Sequence, residues 1–171
     1  METQLSLPSK KPQVFVDYRE REIGELLEKL GAKVNFVNLP IGDFSTIKSG
    51  IERKSFRDFI SSITDGRLFE QTKNLKESYE NAVIIIEGEI DFWNINENSY
   101  YAAISYLINN KVNVIFSRSK VETSKIVYWI AKKEEENKNF SGFKIKKKKK
   151  DFREIQELIV SSFPGISTTL S

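Results

Sequence analysis

The stretch AVIIIEG at residues 82–88 is the strongest constraint in the chain. From Ala82 to Ile86 it offers no polar side chain to either side of a strand, whose side chains alternate between faces. Such a strand has no solvent face and must be buried on both sides. VNVIFS at residues 112–117 reads as a second buried strand. Around them the period changes. EIGELLEKLGAK at 22–33 places Ile23, Leu26, Leu27 and Leu30 on one helical stripe, with Gly31 as a stop. Further helices are expected at 55–63 with Ser55 as N-cap and Asp58 at the capping-box position, at 65–80, at 99–109 and from Val121 onward. Leu68, Phe69, Leu75 and Tyr79 form the apolar side of the 65–80 helix. Strands are expected from Val14, over 34–39, and as a hairpin, DFSTIKS then IERK, joined around Ser49-Gly50. Strands and helices alternate around this early hairpin, which makes a mixed α/β domain: a layer of sheet covered by helices.

The chain has 171 residues, 27 Lys/Arg against 24 Asp/Glu, and no histidine or cysteine. Without cysteine there are no disulfides, no thiolate chemistry and no zinc–thiolate site, which fits an intracellular protein. No apolar run reaches the length of a membrane span, and the first residues lack the apolar core of a secretory signal. The net charge of +3 is uneven: residues 141–171 carry +4 and residues 1–140 carry −1. A basic tail on a near-neutral domain points to a polyanionic partner, nucleic acid ahead of membrane. From about Lys132 the composition turns charged and reads as a linker, and DFREIQELIVSSFPGIS then restarts a helical pattern.

GDFSTIKSGIERKSFRD, residues 42–58, gathers acids and bases. A hairpin here sets Asp43 opposite Glu52, and two adjacent carboxylates repel unless one is protonated or a cation lies between them. Oxygen ligands without His or Cys suit a hard divalent ion such as Mg²⁺ or Mn²⁺. Asp17, at the end of the first strand, is a third candidate ligand. Lys54 shares a strand face with Glu52 and can orient water or stabilise phosphoryl charge. The same alternation of charges also describes an ordinary solvated hairpin with weak ion pairs. The spacing alone leaves both readings open.

Gly42-Asp43, eight residues, Glu52-Arg53-Lys54, three residues and Asp58 resemble the nuclease motif of the XPF/Hef family of structure-specific DNA endonucleases. VDYRE at 16–20, DGRLFEQ at 65–71 and VIIIEG at 83–88 resemble flanking family motifs in the same order. The resemblance covers roughly residues 14–135. It implies a restriction-endonuclease-like α/β core with a mixed central sheet flanked by helices. It also implies Mg²⁺-dependent hydrolysis of branched or flapped DNA near single-strand junctions, with Mn²⁺ as a substitute ion.

Carried over by position, the resemblance makes Asp43 and Glu52 metal ligands, with Asp17 a direct or water-mediated third. Lys54 positions water, and Arg53 and Asp58 brace the site. Arg19, Glu20, Arg67 and Gln71 line the cleft, contacting phosphate or holding the ligands, with Glu20 and Arg67 able instead to serve a structural ion pair. Lys146, Lys147 and Lys148 touch DNA nonspecifically. The resulting organisation is a lead-in at 1–13, a nuclease domain at 14–135, a basic linker at 136–150 and, at 151–171, the start of a helix-hairpin-helix domain that the sequence does not complete. By family analogy the partners are branched or flap DNA, a second copy meeting it through the nuclease domain near Tyr128 or Trp129, and a sliding clamp, but no membrane. The corresponding location is the cytoplasm, on the nucleoid if the source is archaeal.

Overall fold

The computed structural model describes residues 10–139. The Val83–Ile86 run lies in β5 (Asn81–Glu87), fifth in a six-stranded sheet of order β2-β1-β3-β4-β5-β6. The other strands are β1 (Gln13–Asp17), β2 (Lys33–Val37), β3 (Phe44–Ser45), β4 (Ser49–Ser55) and β6 (Asn113–Ser117). β1 pairs with β2, β4 with β5, and β5 with β6 in parallel, while two-residue β3 runs antiparallel between β1 and β4. All strands except β3 therefore point the same way, and their carboxyl ends share one edge.

The alternation in β5 decides the layering. Val83 and Ile85 pack with Val14, Val16 and Ile51 under α1 (Arg21–Lys29) and α5 (Lys120–Asn139). Ala82, Ile84 and Ile86 pack on the opposite face under α2 (Phe56–Thr64), α3 (Arg67–Ser78) and α4 (Glu97–Asn109). Both faces of β5 are dry, as its sequence demands. The outcome is a three-layer α/β sandwich. In α3, Leu68 and Leu75 are buried, but Phe69 is 39% exposed and rests edge-on against Tyr106.

Two expectations are corrected. The hairpin turns at residues 46–48, and Ser49 and Gly50 already belong to β4. The Ser49 amide donates to the Thr46 hydroxyl, and the Thr46 amide donates to the Ser49 carbonyl. This side-chain closure of a turn was not legible as a Gly signal. Gly50 serves close packing instead: a Cβ there would stand 2.0 Å from the Tyr79 ring. Secondly, α5 runs to Asn139, so the linker start at residue 136 falls inside a helix. Lys and Glu are good helix formers, Lys133 pairs with Glu136 one turn on, and Ala131 and Glu134 are buried. The rest of that linker, the 151–171 segment, Lys146, Lys147, Lys148 and residues 1–9 of the lead-in lie outside the described residues. Among the described residues, no helix is long and apolar enough to cross a membrane.

Gly50→Ala forces a methyl group into a ring that is itself fixed by the Tyr79 hydroxyl donating to the Ile41 carbonyl. It should lower unfolding free energy by about 1–3 kcal/mol, the usual cost of overpacking, in urea titrations. An unchanged midpoint would show that the ring yields freely.

Candidate active site

The carboxyl edge of the sheet gathers Asp17 at the end of β1, Glu52, Arg53 and Lys54 in β4, and Glu87 at the end of β5. Asp43 joins them because β3 runs the other way and begins at this edge. Its backbone laces the two strands beside it. The Asp43 amide donates to Ile51 O at 2.8 Å, and the Asp17 amide donates to Asp43 O at 2.9 Å. Gly42, at φ +80°, makes the approach in a backbone conformation that favours glycine, where a Cβ would sit a tight 3.1 Å from Ile51 O.

Asp43 and Glu52 wall one cavity of about 210 Å³, together with Arg19, Gln71 and Asn74. Glu52 Oε1 accepts from Lys54 Nζ at 3.2 Å and from Gln71 Nε2 at 3.0 Å. Lys54 is buried at 6% exposure and, two residues on from Glu52, lies on the same face of β4. Asp43 Oδ2 accepts the Arg53 amide at 2.8 Å. Asp43 Oδ1 lies 3.9 Å from Arg19 Nη2, and Arg19 itself is exposed at the rim. Burial and the neighbouring negative charge of Glu52 push the Asp43 carboxyl up to about 7. The repulsion expected between these two carboxylates raises Asp43 in this way, and a proton or a cation would relieve it.

Asp17, expected as a direct or water-mediated third ligand, is held by the chain. Its Oδ1 accepts from the Arg19 amide at 2.9 Å and from Arg19 Nε at 2.7 Å, and its Oδ2 accepts from the Leu39 amide at 3.0 Å. The Arg19 guanidinium holds this carboxyl below the ordinary range. Both oxygens are committed to the chain itself, and no group of three acids is close enough to hold a metal among the described residues.

Arg53 and Asp58 brace from outside the cavity. Arg53 alternates away from Glu52 to the α1–α5 face. There its guanidinium takes Glu20 with two nitrogens, at 2.9 and 3.1 Å, and Glu87 with the third, at 3.0 Å. Thr123 on α5 donates to the other oxygen of Glu87 at 2.6 Å. Asp58 caps α2 reciprocally: its amide donates to Ser55 Oγ, which donates back to Asp58 Oδ2. Glu20 and Arg67 do not pair with each other. Glu20 is held by Arg53, and Arg67, exposed at the start of α3, pairs with Asp65 at 2.7 Å. Gln71 reaches Glu52, so it holds the acid. Asn74 was missed, although its spacing of three from Gln71 puts both on one helix face.

Because the folded-state value for Asp43 lies above its ordinary 3.8, the native state holds this proton more tightly than the unfolded chain. The group's contribution to stability therefore falls as pH rises from about 4 to about 7 and stays low above that. Asp43→Asn keeps an oxygen for the Arg53 amide and removes the charge. With divalent ions chelated, it should be more stable than the parent by a few kcal/mol (order of magnitude) at pH 8 and nearly equal to it at pH 4. Denaturant unfolding at both pH values checks this, and a gap independent of pH excludes it.

Residues 16–130 match the ERCC4 domain. The chain is 34% identical over 172 residues to the 3'-flap repair endonuclease Xpf of Saccharolobus solfataricus, covering 93% of this chain and 72% of that protein. It is 33% identical over 168 residues to a Methanocaldococcus jannaschii protein named as an ATP-dependent RNA helicase, covering 96% of this chain but only 21% of that protein. The fold matches XPF from Aeropyrum pernix in complex with DNA at a TM-score of 0.69 and 32% identity, covering 92% of this chain and 76% of that one. With the domain match spanning most of its length and these relatives on either side of it, the chain belongs to the ERCC4-domain family that includes the XPF nucleases.

Proposed function

We propose that this chain is a metal-dependent, structure-specific endonuclease that hydrolyses phosphodiester bonds in branched or flapped DNA near single-strand junctions, in repair or recombination. The observation that carries the reading is the convergence of Asp43 and Glu52 on one cavity at the carboxyl edge of the sheet, with the buried Lys54 amine bonded to Glu52 and no histidine in the chain. The family membership and the endonuclease name of the Saccharolobus relative support it.

The donor set fits a hard divalent ion. Asp43 Oδ1 and Glu52 Oε2 accept no hydrogen bond from the described residues, whereas their partner oxygens are fixed by Arg53 N and by Lys54 and Gln71. These two free oxygens would hold Mg²⁺, or Mn²⁺ in its place. Such an ion, when bound, supplies Lewis-acid stabilisation of charge developing on the phosphoryl oxygens. The chain's own groups do the rest. Lys54 Nζ uses one donor on Glu52 and keeps others for a water beside phosphorus or for a phosphoryl oxygen. Arg19 on the rim binds a phosphate and fixes the strand's position. Arg67 adds a contact at the start of α3, and Lys146, Lys147 and Lys148 add salt-sensitive ones along the backbone.

Lys54→Ala and Asp43→Ala should each reduce Mg²⁺-supported cleavage of a 3'-flap duplex by at least about a hundredfold, in the range seen for loss of an electrostatic catalytic group. Binding of the same duplex should change less than about threefold. Gel assays of cleavage and anisotropy of binding, with and without EDTA, check both. Undiminished cutting by Asp43→Ala would remove the assignment.

The chain works as a homodimer through the nuclease domain, in this reading, with α5 at the contact. On α5 Val127 and Ala131 are buried in the core, while Val121 and Trp129 are each 51% exposed. Sedimentation should show a dimer at high micromolar concentration that Trp129→Ala weakens. A parent chain that stays monomeric there would overturn it. A sliding clamp is the further partner that family analogy suggests.

A further inference from the structure

We infer that Glu134 is a positioning residue for the cleavage site, setting from α5 the register of the hairpin that carries Asp43 and Glu52. Glu134 is 8% exposed and lies 80 or more residues along the chain from that hairpin. Its carboxylate nevertheless takes three donors from the turn: Thr46 Oγ1 at 2.8 Å, the Lys48 amide at 3.0 Å and Ser49 Oγ at 2.5 Å. No cation is paired with it among the described residues; the charge is satisfied by hydrogen bonds alone. A buried acid is retained at this cost only where its acceptors are fully used.

The clamp matters because β3 is the short arm of the hairpin, whereas β4 is fixed by seven positions against β5. β3 meets β4 at only two positions, Phe44 with Ile51 and Ser45 with Gly50. A slip of one residue in so short a ladder turns every side chain to the other face. Asp43 lies three residues before Thr46, and Glu52 three residues after Ser49. Fixing Thr46, Lys48 and Ser49 to one carboxylate therefore fixes how far each acid lies from the turn. The Asp43 amide can then reach Ile51 O, and the Arg53 amide can reach Asp43 Oδ2. Glu134 touches neither the cavity nor any substrate.

The catalytic part of this inference rests on the endonuclease reading, and the structural part does not. The test uses the full chain with Glu134→Ala and Glu134→Gln, read by amide hydrogen exchange and by flap cleavage. In Glu134→Ala, protection at the Asp43 and Arg53 amides should fall at least tenfold more than at the Val83 to Ile86 amides of β5, which report global opening. kcat should fall at least tenfold with KM for DNA within about twofold. Glu134→Gln keeps an oxygen for the Lys48 amide and should recover part of both. If the alanine variant does not fold, the same comparison is made between the glutamine variant and the parent. Loss of protection in step with β5, or no loss at all, overturns the positioning role. Local loss of protection with kcat unchanged overturns its link to the site. If the parent itself cuts no DNA, the endonuclease reading fails while the exchange comparison still decides whether the clamp sets the register.

Discussion

Two carboxylates buried against each other are the constraint around which this fold is arranged. Asp43 and Glu52 face one cavity, and a low-dielectric wall makes their mutual repulsion expensive. Four neighbouring groups offset part of that cost. The Arg53 amide and Arg19 turn positive charge towards Asp43, and Lys54 and Gln71 turn it towards Glu52. The remainder is left uncompensated by the protein, and in the proposed reading a divalent cation would offset it. Strain of this kind at a functional centre is tolerated because the sheet around it is rigid and dry.

Strand β4 distributes the work by simple alternation. Ile51 and Arg53 face α1 and α5, the first into the apolar core and the second into an ionic lattice with Glu20 and Glu87. Glu52 and Lys54 face the other way, Glu52 into the cleft and Lys54 with its amine bonded to Glu52. The lattice is mostly buried, so it holds only while each partner keeps its full set of hydrogen bonds. The planar fork of Arg53 meets that demand by taking two carboxylates from three nitrogens, which an ammonium at the same position cannot do. The three residues of the Glu-Arg-Lys run thus serve two different faces of the protein.

Much of this was legible in the sequence, for physical reasons that differ by residue. The apolar run of β5 left no choice but burial on both faces, and the two-residue step from Glu52 to Lys54 fixed their shared orientation. Ser55 and Asp58 announced a cap because that device is local. What stayed hidden depends on groups far apart in the chain. Asp17 read as a free acid until Leu39, 22 residues on, supplied an amide to it. Glu134 lay in a charged stretch that resembled a linker, and nothing local distinguishes it from Glu135 or Glu136. The hairpin turn was misplaced for the same reason: a glycine was taken as a turn marker when its function was to pass beneath Tyr79.

Helix α5 is tied to the sheet at two opposite edges. Thr123 in its first turn is bonded to Glu87 at the carboxyl edge, and Glu134 is bonded to the hairpin turn at the other. Eleven residues separate these anchors, about 16 Å at the helical rise. Mechanically the helix is a beam fixed at both ends, with the exposed Trp129 near mid-span. Between those ends Val127 and Ala131 pack it into the core, so the helix is also held along its length. One end reaches Arg53 through Glu87, and the other reaches the strands that present Asp43 and Glu52. One helix thus joins a residue on the outer surface of the domain to bonds that lead to both sides of its cleft.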